Sequence, residues 1–181
     1  MELTGSHVAV LVENNYQELE VWYPIFRFRE SGATVTIIGT GADRYLSKLG
    51  YPVEPDIAAD AADHHAYDAV IIPGGYAPDL LRLSKPVVNL VHAAHENDKV
   101  IAAICHGSWL LASARILEGR NVTGAPSIRD DLENAGATYL DQEVVRDQNI
   151  ITSRKPSDLP AFTREIVRAL EHKDKTNRGA A

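Results

Sequence analysis

The chain holds a single cysteine, Cys105, and its neighbours are of the kinds that turn a thiol into a nucleophile. The stretch Val100-Ile-Ala-Ala-Ile-Cys105-His106-Gly107-Ser108-Trp109 opens with five apolar residues, the length and composition of a buried strand. A helical pattern starts at His106. Small residues stand two positions before and two after the cysteine (Ala103 and Gly107), which is the spacing of a nucleophile elbow with Cys in place of Ser. A side chain at such a turn is pushed into the open at a helix N-terminus, where the macrodipole favours the thiolate. The competing reading is a buried thiol with a packing role, the usual fate of a free cysteine.

Three further groups have types suited to that thiol. Gly74-Gly75 closes another strand-like run, and a glycine pair lets backbone N–H groups approach a reacting atom. The amides of Gly75 and His106 would supply the two donors of an oxyanion hole, where the alternative is a plain tight turn. His106 adjoins Cys105, but neighbours on a helix point about 100° apart. It is therefore expected to act as a base across a substrate or water without having to touch the sulfur. Glu18 and Glu20 open the first helix. A carboxylic acid beside a cysteine can hydrogen-bond the thiolate and set its pKa, although acids at a helix start also complement the dipole. His92 and His95, with Glu96 beside them, lack an evident third ligand and read as a solvated face, so no metal site is expected. His64-His65 lies in a polar loop without a pattern. No cofactor is expected.

Strand-like and helix-like runs alternate along the chain and must position these groups. Strands are expected at 7–12, 33–38, 68–72 and 100–104, with shorter ones at 122–123, 137–140, 143–146 and 149–152. Helices are expected at 18–30, with Pro24 bending it or lying near its start, and at 85–97. A further helix starts after Pro126-Ser127, and the last runs from Ser157 with Leu159, Phe162, Ile166 and Leu170 as its core stripe. Residues 40–66 read as irregular, and Trp22, Tyr23 and Phe26 as core or a dimer surface. Such alternation implies an α/β fold with a mostly parallel sheet and helices on both faces, in which ligands bind outside the carboxyl ends of the strands. Glu18 and Glu20, Gly74-Gly75 and Cys105-His106 all follow strands, so the fold class gathers them on one edge. One domain is expected over residues 1–170, followed by a flexible polar tail at 171–181.

Composition narrows the function classes. A net charge of −7 and the absence of a basic stripe argue against nucleic acid as a partner. No apolar run approaches the length needed to span a bilayer, and the N-terminus has no signal-peptide pattern. One cysteine leaves no internal disulfide, which fits a reducing, cytoplasmic compartment.

Together, Ala103-Ile-Cys-His-Gly107, Pro73-Gly-Gly-Tyr-Ala-Pro-Asp79, Asp130-Asp-Leu-Glu-Asn-Ala-Gly136, Asp141-Gln-Glu-Val-Val145 and Thr152-Ser-Arg-Lys-Pro-Ser-Asp-Leu-Pro-Ala-Phe162 resemble the PfpI-type branch of the ThiJ/PfpI superfamily. The likeness runs from about residue 7 to 170. It implies a flavodoxin-like, amidotransferase-like three-layer sandwich. It also implies Cys105 as nucleophile with His106 as its partner, Glu20 as the acid contacting the sulfur, and Gly75 with the His106 amide as oxyanion donors. Asp79 would approach the histidine of a neighbouring subunit, so self-association as a dimer or hexamer is expected. Gln17 in place of a frequent Glu, Asp79 in place of a frequent Glu, and Ser108-Trp109 after the glycine depart from the pattern, and Trp109 is expected to reshape the pocket. The activity implied is cysteine-dependent chemistry on small carbonyl compounds, glyoxalase- or deglycase-like. An intracellular peptidase acting on peptides, and a non-enzymatic redox-sensing stress protein or chaperone, are the alternatives. A glutamine amidotransferase would need a late His-x-Glu pair, and none follows residue 106.

Overall fold

A computed structural model describes the backbone of residues 2–179 and the side chains of residues 2–171. Seven strands form one sheet in the order β10-β11-β7-β6-β1-β2-β5. These are β1 (His7–Leu11), β2 (Thr34–Gly39), β5 (Ile57–Ala58), β6 (Ala69–Ile72), β7 (Val100–Ile104), β10 (Val144–Asp147) and β11 (Ile150–Ser153). All pairings are parallel except β10 with β11, which makes β10 an antiparallel edge. The strands at the centre are apolar on both faces because both faces are covered. Val8 and Val10 point into one core with α1 (Glu18–Glu30) and α6 (Leu159–Gly179), whereas Ala9 and Leu11 point into a second core with α3 (Lys85–Glu96), α4 (Ser108–Ser113) and α5 (Arg129–Asn134). This is the flavodoxin-like sandwich.

Several elements differ from expectation. Pro24 lies buried in the interior of α1 and not near its start. Tyr23 and Phe26 are 39% and 60% exposed and so are not core, while Trp22 is half-buried against it. The 40–66 segment contains a hairpin, β3 (Tyr45–Leu46) with β4 (Pro52–Val53), as well as β5. Two residues per strand are too few for a periodic signal. A short helix, α2 (Ala77–Leu81), follows Gly75. The strands β8 (Asn121–Val122) and β9 (Thr138–Tyr139) pair with each other, outside the main sheet. Helical backbone in α6 continues to Gly179, past Leu170, because the polar residues after it hold neither proline nor glycine before that point. The end of the expected tail, residues 180–181, lies outside the described residues.

Candidate active site

In the sheet β7, β6 and β1 are neighbours, so Cys105 after β7, Gly74-Gly75 after β6 and the start of α1 after β1 emerge side by side. Cys105 has φ of 61°, a left-handed conformation that costs a non-glycine residue of order 1–2 kcal/mol. The surroundings hold it there. The Cys105 carbonyl accepts the Ala125 N–H at 3.1 Å. Gly107 lies so close to the end of β6 that an added Cβ would overlap the Ile72 carbonyl oxygen. Residues 105–107 form a single tight turn before α4, which starts at Ser108 and not at His106.

Glu20 is fully buried. The Gln17 side chain caps α1 by accepting the N–H groups of Leu19 (2.6 Å) and Glu20 (3.3 Å), which sets the register that turns Glu20 inward. Its Oε2 accepts the Gly74 N–H at 2.7 Å. A Cβ on Gly74 would sit 2.6 Å from that oxygen and 2.7 Å from the Cys105 Cβ, so only glycine lets carboxyl and cysteine converge. The carboxyl's interaction with the Cys105 thiol falls short of an ordinary hydrogen bond, and Oε1 is left buried without a partner. Burial pushes the Glu20 carboxyl up to about 7, against the opposing pull of the Gly74 N–H. Burial, with the Glu20 charge behind it, pushes the Cys105 thiol up to about 11, and the N–H groups of His106 and Gly75 act in the opposite direction. This burial works against the thiolate that the helix N-terminus favours.

His106 reaches the sulfur directly, which a regular helical step does not require. Its Nδ1 lies 3.2 Å from Cys105 Sγ, because the left-handed residue 105 breaks the helical 100° step. Its Nε2 lies 3.1 Å from Ser127 Oγ. Burial, and then the Lys48 charge, lower its pKa, favouring the neutral imidazole. The Trp109 ring stands edge-on to it at 5.0 Å and is itself fixed by an indole N–H donated to Asp131 Oδ2 at 2.9 Å.

The cysteine, histidine and Glu20 share a cavity of about 340 Å³ with Gly75, Lys48 and Trp109 in its wall. Cys105, His106, Glu20, Gly74, Gly75, Gly107 and Trp109 are thus brought together. Asp79, in the first turn of α2, is not among the cavity-lining residues: its carboxylate interacts with the Tyr76 phenol, and among the described residues no hydrogen bond or ion pair joins it to His106 of its own chain. Sequence reasoning missed Lys48, Tyr76 and Ser127. Lys48 sits in the turn of the β3–β4 hairpin, which is tethered by its N–H to the Tyr16 carbonyl at 3.1 Å. Ser127 sits in the turn that Pro126 marks. The arrangement presents a thiol, a proton acceptor and two converging amides, which is the equipment for adding sulfur to a carbonyl carbon. The trio Asp63, His64 and His65 could offer metal-ligating atoms but is solvent-facing and remote in sequence from this site.

Fold and site together define an α/β protein that presents a cysteine at a strand-to-helix elbow beside a buried carboxyl group. The chain belongs to the DJ-1/PfpI family, whose model matches residues 6–169. It is 40% identical to a deglycase of Thermococcus kodakarensis over 90% of this chain and 98% of the relative. It is 42% identical to YraA of Bacillus subtilis, whose name proposes a cysteine protease, over 92% of this chain and 99% of that one. Among solved structures, a two-domain protein of Anabaena variabilis with DJ-1/ThiJ/PfpI-like and ferritin-like domains superposes with a TM-score of 0.90 at 38% identity. That match covers 91% of this chain and 50% of the other. Among the described residues no helix is long and apolar enough to cross a membrane.

Proposed function

We propose that the chain is a cysteine-dependent enzyme acting on small reactive carbonyl compounds, glyoxalase- or deglycase-like. The observation that carries this reading is Cys105 Sγ in a cavity of about 340 Å³, with His106 Nδ1 at 3.2 Å and the N–H groups of Gly75 and His106 turned toward it. The deglycase name of the T. kodakarensis relative agrees with it. On a dicarbonyl, the thiol proton passes to His106 Nδ1 or to the Glu20 carboxylate as Sγ bonds to the aldehyde carbon. The resulting hemithioacetal oxygen is held by the two amides. The base returns the thiol proton to that oxygen and then carries the proton of that carbon to the adjacent one, while the hydroxyl proton passes to the second oxygen, giving a thioester. Water hydrolyses the thioester, releasing a 2-hydroxy acid and restoring the thiol; the sum is dicarbonyl plus water.

The small cavity favours this chemistry over a peptidase, because an extended peptide needs a longer groove. The test is incubation with methylglyoxal and measurement of lactate. Turnover lost in Cys105→Ala supports the reading. Lactate formation unchanged in that variant, or peptide cleavage with no lactate, overturns it.

Self-association belongs to the same reading. Leu19, Phe26, Leu49 and Tyr51, between 57% and 83% exposed, make an apolar face on α1 and the hairpin that suits a second copy of the chain. Asp79 is left free of its own His106 and is available to a neighbour's. The absence of any disulfide accords with a cytoplasmic setting.

A further inference from the structure

His106 has a partner on each nitrogen, and only one of the two belongs to the chemistry just described. A neutral imidazole carries one N–H, so its partners decide which nitrogen is the base. With Nδ1 3.2 Å from the sulfur, His106 takes the thiol proton only if Nδ1 is bare, which puts the N–H on Nε2. The group 3.1 Å from Nε2 is the Ser127 hydroxyl. We infer that Ser127 is a positioning residue that accepts the Nε2–H of His106 and so holds the base-ready tautomer toward Cys105.

The backbone supports this assignment. Ser127 stands in the Pro126–Ile128 turn that leads into α5. That turn is tied to the elbow itself, because the Ala125 N–H donates to the Cys105 carbonyl. The same helix carries Asp131, which fixes Trp109 against the face of the imidazole. The sulfur and the hydroxyl that flank the ring are therefore held in one frame. The hydroxyl also suits the proton inventory. Ser127 accepts from Nε2–H in the neutral ring and goes on accepting after Nδ1 has taken the thiol proton, so the hydrogen bond persists through the transfer. The lowered pKa of His106 then leaves the ring free to accept a proton at neutral pH.

The inference rests on His106 acting as the base for Cys105, and its test separates the two. Nitrogen-15 NMR of the imidazole reads the tautomer directly and needs no turnover. In the intact protein His106 is expected as the Nε2–H tautomer, and Ser127→Ala is expected to give a mixture, with Ser127→Thr restoring the original spectrum. In parallel, Ser127→Ala is expected to lower kcat with methylglyoxal by about tenfold, the effect of losing one orienting hydrogen bond, with KM within about twofold. The pH dependence of Cys105 alkylation by iodoacetamide is expected to shift as well, and Ser127→Thr to reverse both changes. An unchanged tautomer and alkylation profile in Ser127→Ala would overturn the assignment even if the enzyme is active. A changed tautomer in a protein with no turnover would keep Ser127 in its place and count against the proposed reaction instead.

Discussion

Replacing Glu20 by glutamine should stabilise the protein in alkaline solution while damaging its site. Glu20 is fully buried and its carboxyl is raised from 4.5 to about 7 in the folded chain. For an acid whose folded value is raised, the stability contributed by the neutral form is fully present below the unfolded value. It is lost as pH climbs through the folded value. Integrating between those two values, ionisation of Glu20 costs under about 1 kcal/mol of stability at pH 5 and about 3 kcal/mol at pH 8. Glutamine keeps the shape, and its amide oxygen still accepts the Gly74 N–H, yet it carries no charge at either pH. Glu20→Gln should therefore match the wild type to within about 1 kcal/mol at pH 5 and exceed it by about 2–3 kcal/mol at pH 8, or about 5–10 °C in Tm for a domain of this size. Urea unfolding at both pH values gives the difference directly. The window stops at pH 8 because the Cys105 thiol, raised from 9.0 to about 11, begins to contribute in the same direction above that. A second readout comes from the sulfur. Removing the Glu20 charge removes one of the influences that raise the thiol, so iodoacetamide should alkylate Cys105 faster in Glu20→Gln at pH 8 even as turnover falls. A stability difference independent of pH would show that the carboxyl titrates normally, and the account of a buried acid beside the sulfur would be wrong.

Gly107→Ala is expected to destabilise the fold by about 3 kcal/mol or more, since its Cβ would overlap the Ile72 carbonyl oxygen and the elbow must move; chemical denaturation measures it, and a change under about 1 kcal/mol would remove packing as the reason for this glycine. Phe26→Glu, at a position 60% exposed, should leave Tm within about 2 °C while lowering the molar mass seen by light scattering; an unchanged assembly would clear the α1 face of a role in self-association.

How far the sequence could be read follows from what each signal depends on. Cys105, Gly107, Gly74 and Glu20 were visible because each sits next to a strand whose apolar run is unmistakable. A parallel sheet then leaves little choice about where the ends of β7, β6 and β1 lie. Lys48 and Ser127 were hidden because they reach the cavity from connections. The hairpin that carries Lys48 has two residues per strand, too short for periodicity to register. The turn that carries Ser127 reads only as a helix start, and no local rule says which neighbour a hydroxyl there will meet. The burial that acts on Cys105 is hidden for a related reason. Position at a helix N-terminus is a sequence property, whereas desolvation by residues brought from three strand ends belongs to the assembled fold.

The raised thiol and the raised carboxyl have one consequence for chemistry. A permanently ionised sulfur beside an ionised Glu20 would place two like charges in a dry site, which burial makes costly. Burial raises both groups, which favours keeping a proton on the pair; on the proposed reading the nucleophile is released only when that proton has somewhere to go. In the proposed reaction His106 Nδ1, 3.2 Å from the sulfur and with its pKa lowered by burial, is that destination. On the proposed reading, the left-handed backbone at Cys105 aims the sulfur, and the carboxyl that raises its pKa keeps it from reacting before a carbonyl is in place. On this argument, reactivity toward a small electrophile should rise as pH climbs through the range in which the pair gives up its shared proton, rather than being already complete at pH 5 as for a preformed thiolate. A pH-independent alkylation rate between pH 5 and 9 would refute it.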